Sequence, residues 1–270
     1  MAAILRNLLA FLMWRLRYDG PLARAAVERG GARISYASYG TGAPLVLLHG
    51  GLGSRWDWFS QIPAFVRSGR RVVVIDSRGH GASTLGRGEY SYRTLADDVA
   101  EVIHACALPR CDVVGWSDGG NAALLLARDH AACVRRLVVI SANSSPAGLT
   151  PEARQRIDRD PWIRRVRRRL VGSGSRLLVL RVHRLWRTRP QLTPADLGRI
   201  VAPTLALVGD RDDIDTGHAR AMARALGCAR LRVLPRTGHA APVTRAALVN
   251  RLVMEFLDAS DQRAGTRRAP

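Results

Sequence analysis

The stretch Val113-Val114-Gly115-Trp116-Ser117-Asp118-Gly119-Gly120 decides how this chain is read. Val113 and Val114 read as the end of a buried strand, and the residues after Ser117 open a helix. A serine at the tip of so sharp a strand-to-helix turn occupies a strained backbone conformation that pushes its Oγ out of the sheet. Neighbouring chain must pass close by, so the positions two before and two after the serine need minimal side chains. Gly115 and Gly119 fill those positions, and Gly120 adds room. The free N–H groups of the helix N-terminus favour negative charge developing at the serine. In a chain with 25 glycines, chance alone can supply Gly-x-Ser-x-Gly, so the weight rests on the flanks.

Outward from this turn, short runs rich in Val, Ile and Leu alternate with longer helical patterns. That alternation predicts an α/β fold with a mostly parallel central sheet and helices on both faces. The expected strands are Arg33–Tyr39, Leu45–Leu48, Val72–Ile75, Asp112–Val114, Leu137–Ile140, Thr204–Val208 and Leu231–Leu234. Most are continuous apolar runs, as strands covered on both faces require. The expected helices are Ser54–Val66, Thr94–Cys106, Gly119–His130, Thr216–Leu226 and Thr244–Leu257.

From Ser144 to Ile200 the alternation stops. Arg154 through Arg189 holds thirteen arginines against Asp158 and Asp160, with aliphatic residues interleaved as in Leu177-Leu178-Val179-Leu180. This predicts an amphipathic helical insert, a small lid between two core strands. The expected organisation is an N-terminal amphipathic segment over 1–26, a core built from 27–143 and 201–260, an arginine-rich helical cap over 144–200, and a flexible tail over 261–270.

The chain contains no lysine, so all 42 basic residues are arginine and the net charge is +20. Biased base composition explains such a choice of residue, and attraction to anionic surfaces is the functional reading. The arginines carry no interleaved aromatic ladder, so nucleic-acid recognition is not expected. Cys106, Cys111, Cys133 and Cys228 form no Cys-x-x-Cys pair and do not cluster with histidine, which points to reduced, mostly packed thiols and no metal site. Ile4 to Tyr18 is apolar but carries Arg6, Arg15 and Arg17, and its unbroken apolar core is too short to span a bilayer. Its poor cleavage site argues against a secretion signal. A short helix on a membrane surface, or packed on the fold, fits better. The expected compartment is the cytoplasm, with peripheral association to anionic membrane.

A serine hydroxyl needs a general base, itself oriented by a third group. His239, in Pro235-Arg236-Thr237-Gly238-His239 after the last strand, is the candidate base. The candidate acid lies in Gly209-Asp210-Arg211-Asp212-Asp213, after the strand Thr204–Val208, with Asp212 favoured over Asp210 and Asp213. The chain order Ser, Asp, His is the order this type of turn uses. An oxyanion needs backbone donors. The N–H of Asp118 and an N–H from His49-Gly50-Gly51-Leu52-Gly53, with Gly51 foremost, are the candidates. Asp118, Leu52 and Trp116 are the candidate substrate-binding residues. No phosphate-loop or dinucleotide pattern is present, and neither a cofactor nor a metal is expected.

Taken together, His49-Gly50-Gly51, Asp76-Ser77-Arg78-Gly79-His80-Gly81, Gly115-Trp116-Ser117-Asp118-Gly119-Gly120, Gly209-Asp210-Arg211-Asp212 and Gly238-His239 resemble the α/β-hydrolase superfamily. The resemblance runs from about Arg33 to Leu257, with 144–200 matching only as the variable cap. It implies Ser117 as nucleophile, His239 as base and Asp212 as acid, with Asp76–Gly81 as a structural turn. Thr216 stands where members often carry proline. The elbow is similar to that of valacyclovir hydrolase-like and proline iminopeptidase-like members, which implies that Asp118 recognises a substrate ammonium group; holding local backbone donors is the other role open to it. Serine at the elbow tip argues against the epoxide hydrolase and haloalkane dehalogenase branches. The expected reaction is hydrolysis of a small-molecule carboxylic ester, extending to an amide or aminoacyl ester, through an acyl-enzyme. Carbon–carbon bond hydrolysis, cofactor-free perhydrolysis and a non-catalytic binding role on the same scaffold are the alternatives.

Overall fold

Among residues 2–159 and 173–266, which the computed structural model describes, eight strands form one sheet. They are β1 (Leu22–Arg29), β2 (Ala32–Tyr39), β3 (Ala43–Leu48), β4 (Arg70–Ile75), β5 (Cys111–Trp116), β6 (Val134–Ile140), β7 (Thr204–Gly209) and β8 (Ala229–Leu234). The spatial order is β1-β2-β4-β3-β5-β6-β7-β8. The β1–β2 and β2–β4 pairs are antiparallel, and every other neighbouring pair is parallel. The helices are α1 (Ala2–Arg17), α2 (Gln61–Arg67), α3 (Tyr92–Ala105), α4 (Asp118–Asp129), α5 (Pro151–Asp158), α6 (Ser173–Thr188), α7 (Pro194–Gly198), α8 (Thr216–Ala225), α9 (Ala241–Thr244) and α10 (Ala246–Thr266).

Alternate residues of the apolar strands feed two cores. Val46 and Leu48 of β3, Val73 and Ile75 of β4 and Val113 of β5 pack with side chains of α3 and α4 on one face. Leu45, Leu47, Val72, Val74 and Val114 pack on the other face with Ile62 and Phe65 of α2 and Val249, Val253 and Phe256 of α10. Each central strand is therefore covered on both sides, which is why its sequence is continuously apolar. Leu178, Val182 and Leu185 of α6 join the first core and seat the insert on it.

Four differences from the sequence expectation have physical causes. Strand β1 crosses the boundary placed at residue 26 and pairs with β2 from Leu22↔Tyr39 to Arg29↔Ala32. It is a mostly exposed edge strand, Leu-Ala-Arg-Ala-Ala-Val-Glu-Arg, and so has no apolar run to betray it. Its readable mark is Gly30-Gly31, both at positive φ (58° and 67°), a two-residue hairpin turn. The single helix expected over Ser54–Val66 is a short 3-10 turn (Arg55–Trp58) followed by α2. Ser54 and Asp57 close a capping box around the turn, and Pro63 fits only in the first turn of a helix, where no N–H is needed. Residues 261–266, expected in the flexible tail, continue α10. Cys228 is exposed rather than packed, while Cys106 and Cys111 are buried. Residues 160–172 of the expected cap, with Arg164, Arg165, Arg167, Arg168 and Arg169, lie outside the described residues.

Candidate active site

Ser117 sits between the end of β5 and the start of α4 with φ 54° and ψ −119°, the strained left-handed region. Its N–H donates to Ile140 O of the neighbouring strand β6 at 2.9 Å. The glycines around it are sterically required. A Cβ at Gly115 would overlap Gly119, and a Cβ at Gly119 would overlap the carbonyls of Leu48 and His49. At Gly120 it would meet the Ala142 Cβ at 2.8 Å.

His239 lies on the loop between β8 and α9, and Asp212 on the loop after β7. His239 Nε2 is 2.9 Å from Ser117 Oγ, and His239 Nδ1 is 2.7 Å from Asp212 Oδ1. In the neutral imidazole, Nδ1–H donates to the carboxylate and Nε2 accepts from the serine hydroxyl. Asp210, the neighbouring carboxylate, is engaged elsewhere, accepting from the N–H groups of Arg236 and Thr237 at 2.8 and 3.0 Å. Asp213 forms an ion pair with Arg156. Of the three loop carboxylates, Asp212 is the one joined to His239.

Asp212 is buried and holds four donors. Besides His239, its Oδ2 accepts from Ser141 Oγ at 2.6 Å and Gly209 N–H at 3.0 Å, and its Oδ1 accepts from Ile214 N–H at 3.2 Å. Burial acts to raise its pKa, but the hydrogen bonds and charge of His239 and the bonds from Ser141 and Gly209 together hold it below the ordinary aspartate value. For His239, burial acts to lower the pKa. The hydrogen bond and charge of Asp212, then the charges of Asp213 and Asp118, outweigh it and leave the imidazole more basic than usual. The serine–imidazole–carboxylate set can therefore accept a proton from Ser117 and stabilise the resulting imidazolium.

Ser141 was not singled out by sequence reasoning. It follows β6 at φ 53° and is almost fully buried. The pairing of Ile140 with Leu207 is what carries it beside the Asp212 loop. No local motif marks it; the only signal is a serine immediately past a buried parallel strand.

The loop after β3 crosses close over the elbow. A Cβ at Gly50 would touch the Ser117 Cβ at 3.4 Å, and one at Gly51 would overlap the Asp118 carboxylate and meet Trp186 Cζ2 at 2.9 Å. Two buried histidines pin this loop to the Asp76–Gly81 turn. His49 Nε2 accepts from Ser77 N–H at 3.0 Å, and His80 Nε2 accepts from Leu52 N–H at 3.0 Å. Burial and the nearby His80 lower His49 to about 4, so it stays a neutral acceptor. Asp76 is bound in turn by the Arg55 guanidinium at 2.7 and 2.8 Å. Asp118 contributes the first N–H of α4, which has no acceptor within the helix.

The Asp118 side chain is held by side chains rather than by local backbone donors. Its Oδ1 accepts from Tyr92 Oη at 2.7 Å, and both its oxygens accept from Trp186 Nε1 of α6, at 3.0 and 2.9 Å. Burial raises its pKa against the opposing pull of these two donors. Trp186 thus ties the cap to the residue next to Ser117.

A cavity of ≈ 260 Å³ opens over Ser117 and His239. Among the described residues its apolar wall is Trp116, Leu149, Ile157, Trp186 and Ile214, and its charged groups are Asp57, Asp118, Arg189 and Asp213. Gly51 and Trp116 line it, and Trp116 Nε1 also donates to the His239 carbonyl at 2.9 Å. Leu52, expected among the substrate-binding residues, is a correction. It is not among the lining residues, because its φ of 58° and its N–H bond to His80 turn its side chain outward to 41% exposure.

Residues 45–252 match the alpha/beta hydrolase family. The chain is 31% identical over 245 residues to "Putative carbamate hydrolase RutD" of Variovorax paradoxus, covering 78% of this chain and 91% of that one. The structure of Est816, described as an N-acyl homoserine lactone degrading enzyme, superposes with a TM-score of 0.69 at 28% identity, over 86% of this chain and 99% of that one. The carboxylesterase CesB of Bacillus subtilis shares the fold, with a TM-score of 0.73 at 20% identity over 95% and 99% of the two chains. With the sheet order, the elbow and the family match in agreement, this chain belongs to the alpha/beta hydrolase family and is a hydrolase.

Proposed function

We propose that the protein hydrolyses a small carboxylic ester through an acyl-enzyme formed on Ser117. Ser117 Oγ attacks the ester carbonyl while its proton passes to His239 Nε2, and the ionised Asp212 stabilises the imidazolium. The N–H groups of Gly51 and Asp118 hold the oxyanion. His239 then gives the proton to the leaving alkoxide. In the second half His239 takes a proton from water, the hydroxide attacks the acyl carbonyl, and Ser117 leaves with the proton returned by His239.

The observation that carries this reading is the continuous hydrogen-bonded line from Ser117 Oγ through His239 to Asp212, at 2.9 and 2.7 Å. The apolar cavity wall suits an acyl group better than a charged substrate. The carbamate hydrolase relative, by its name, also acts at an acyl-type carbonyl. Asp118 is committed to Tyr92 and Trp186, which favours neutral esters over aminoacyl esters. The test is a panel of p-nitrophenyl acyl esters with the wild type and Ser117→Ala. The wild type is expected to turn over at least one of them, with kcat/KM about 10⁴-fold lower or less in the variant. Equal turnover by both proteins overturns the reading.

A further inference from the structure

Helix α1 has two apolar faces, and only one of them meets the protein. Ile4, Phe11 and Trp14, followed by Tyr18, pack on the core, with Phe11 almost fully buried. On the opposite side Leu5, Leu8, Leu9, Leu12, Met13 and Leu16 face solvent; Leu5, Leu9 and Leu16 are exposed to 62, 61 and 82%. At about 100° per residue these six side chains form one continuous stripe about 140° wide. Arg6 and Arg17 lie along one seam between the faces and Arg15 along the other, and the helix contains no acidic residue.

The stripe lies beside the catalytic loop. Phe11 packs on Trp56 with ring centroids 6.1 Å apart, and the Arg15 guanidinium sits 4.7 Å from the Trp56 ring centre. Trp56 and Leu52 are themselves exposed apolar side chains. They belong to the segment between β3 and α2 that also supplies Gly50, Gly51 and Asp57 to the cavity wall. Exposed apolar surface therefore continues from α1 to the neighbourhood of the cavity.

We propose that the outer face of α1 is a docking surface for an anionic lipid bilayer, on which the helix lies in the plane of the headgroups. The leucine stripe enters the acyl boundary, and Arg6 and Arg17, at its edge, meet anionic headgroups. The +20 charge of the chain complements such a surface. The helix lies on the bilayer and does not cross it, since none of the described helices is long and apolar enough to span. An aqueous protein partner would leave the arginine seams without their complement, and a bilayer engages leucines and arginines together. Docking in this way sets the cavity over Ser117 next to lipid, so that membrane-partitioned esters have the shortest route to it.

The inference is independent of the ester hydrolase reading, because vesicle binding is measured without turnover. The full chain is sedimented with vesicles of phosphatidylcholine alone, or with about one quarter phosphatidylglycerol. The expected result is binding to the anionic vesicles that weakens as salt is raised. The variant L5Q/L9Q/L12Q/L16Q, all at exposed positions, is expected to bind about 100-fold more weakly. It should keep the wild-type melting temperature and turnover of a soluble ester. R6Q/R17Q is expected to lose most of the preference for phosphatidylglycerol. Absence of wild-type binding, or equal binding by the four-leucine variant, overturns the proposal. So does a wild-type dimer in sedimentation velocity that becomes monomeric in that variant, since the stripe would then be covered by a second copy.

Discussion

Replacing Ser141 by alanine removes one donor from Asp212 and leaves almost everything else in place. Ser141 and alanine carry the same Cβ at φ 53°, so the backbone strain is common to both. The lost contact is the 2.6 Å bond from Ser141 Oγ to Asp212 Oδ2, while His239, Gly209 N–H and Ile214 N–H remain. A buried hydrogen bond to a charged acceptor contributes about 1.5–3 kcal/mol. Asp212 has a lowered folded pKa, so its stabilising contribution is present above the ordinary aspartate range and is lost as pH falls through the folded value. Without Ser141 that contribution shrinks, and the melting temperature at neutral pH should drop accordingly.

The kinetic consequence carries the sharper test. With one donor fewer, the Asp212 charge is less shared and attracts the imidazolium more strongly. His239, already raised above its ordinary value, should then hold its proton to still higher pH. A protonated His239 cannot serve as base, so the acid limb of kcat/KM should sit above the ordinary histidine value, about 6.5, in the wild type and move further up in Ser141→Ala. Near pH 9, where both imidazoles are neutral, the loss should be less than about tenfold, because three of four donors still orient Asp212. The assay is kcat/KM for a neutral p-nitrophenyl ester across the range in which His239 titrates. An acid limb that stays in place or moves to lower pH in the variant would refute the argument, as would a loss that is the same at every pH.

Three further outcomes follow from the same geometry. Gly51→Ala inserts a Cβ into the Asp118 carboxylate and against Trp186, so the loop must shift; kcat should fall by about 100-fold while KM changes little, measured with the preferred ester. Asp118→Asn should reduce kcat/KM for aminoacyl and neutral esters by the same factor, because the carboxylate serves Tyr92 and Trp186; a loss confined to aminoacyl esters would return to Asp118 the ammonium-binding role. Trp186→Phe removes the indole donor but keeps an apolar wall. It should lower the melting temperature by a few degrees and speed proteolysis of the cap, with Tyr92→Phe adding to it less than independently.

What the sequence discloses and what it conceals divide along physical lines. Ser117 and its glycines were legible because the close approach at the elbow forces glycine at fixed spacing, and Gly115 and Gly119 would each collide with backbone if they bore a Cβ. The central strands were legible because burial on both faces demands unbroken Val, Ile and Leu, as in Val72–Ile75. Strand β1 was hidden because an exposed edge makes no such demand. Pro63 could have been read as a helix start, and Gly30-Gly31 as a hairpin. Ser141 and Trp186 were beyond sequence reasoning of this kind. Each acts through a partner about 70 residues away in the chain, Asp212 at 71 and Asp118 at 68, and only the sheet register and the seating of α6 bring them together. Asp118 shows the same limit, since its position was plain and its partners were not.

The central claim is that Ser117 is a nucleophile activated by His239, and a fluorophosphonate probe tests it most directly. Intact-mass measurement of the wild type is expected to show a single adduct, mapped by peptide sequencing to Ser117, with labelling slowed in His239→Ala. Ser117→Ala, with Cβ and the strained φ of 54° retained, is expected to stay unlabelled. An adduct of equal yield on the Ser117→Ala protein, or a wild type that remains unmodified, would contradict the account.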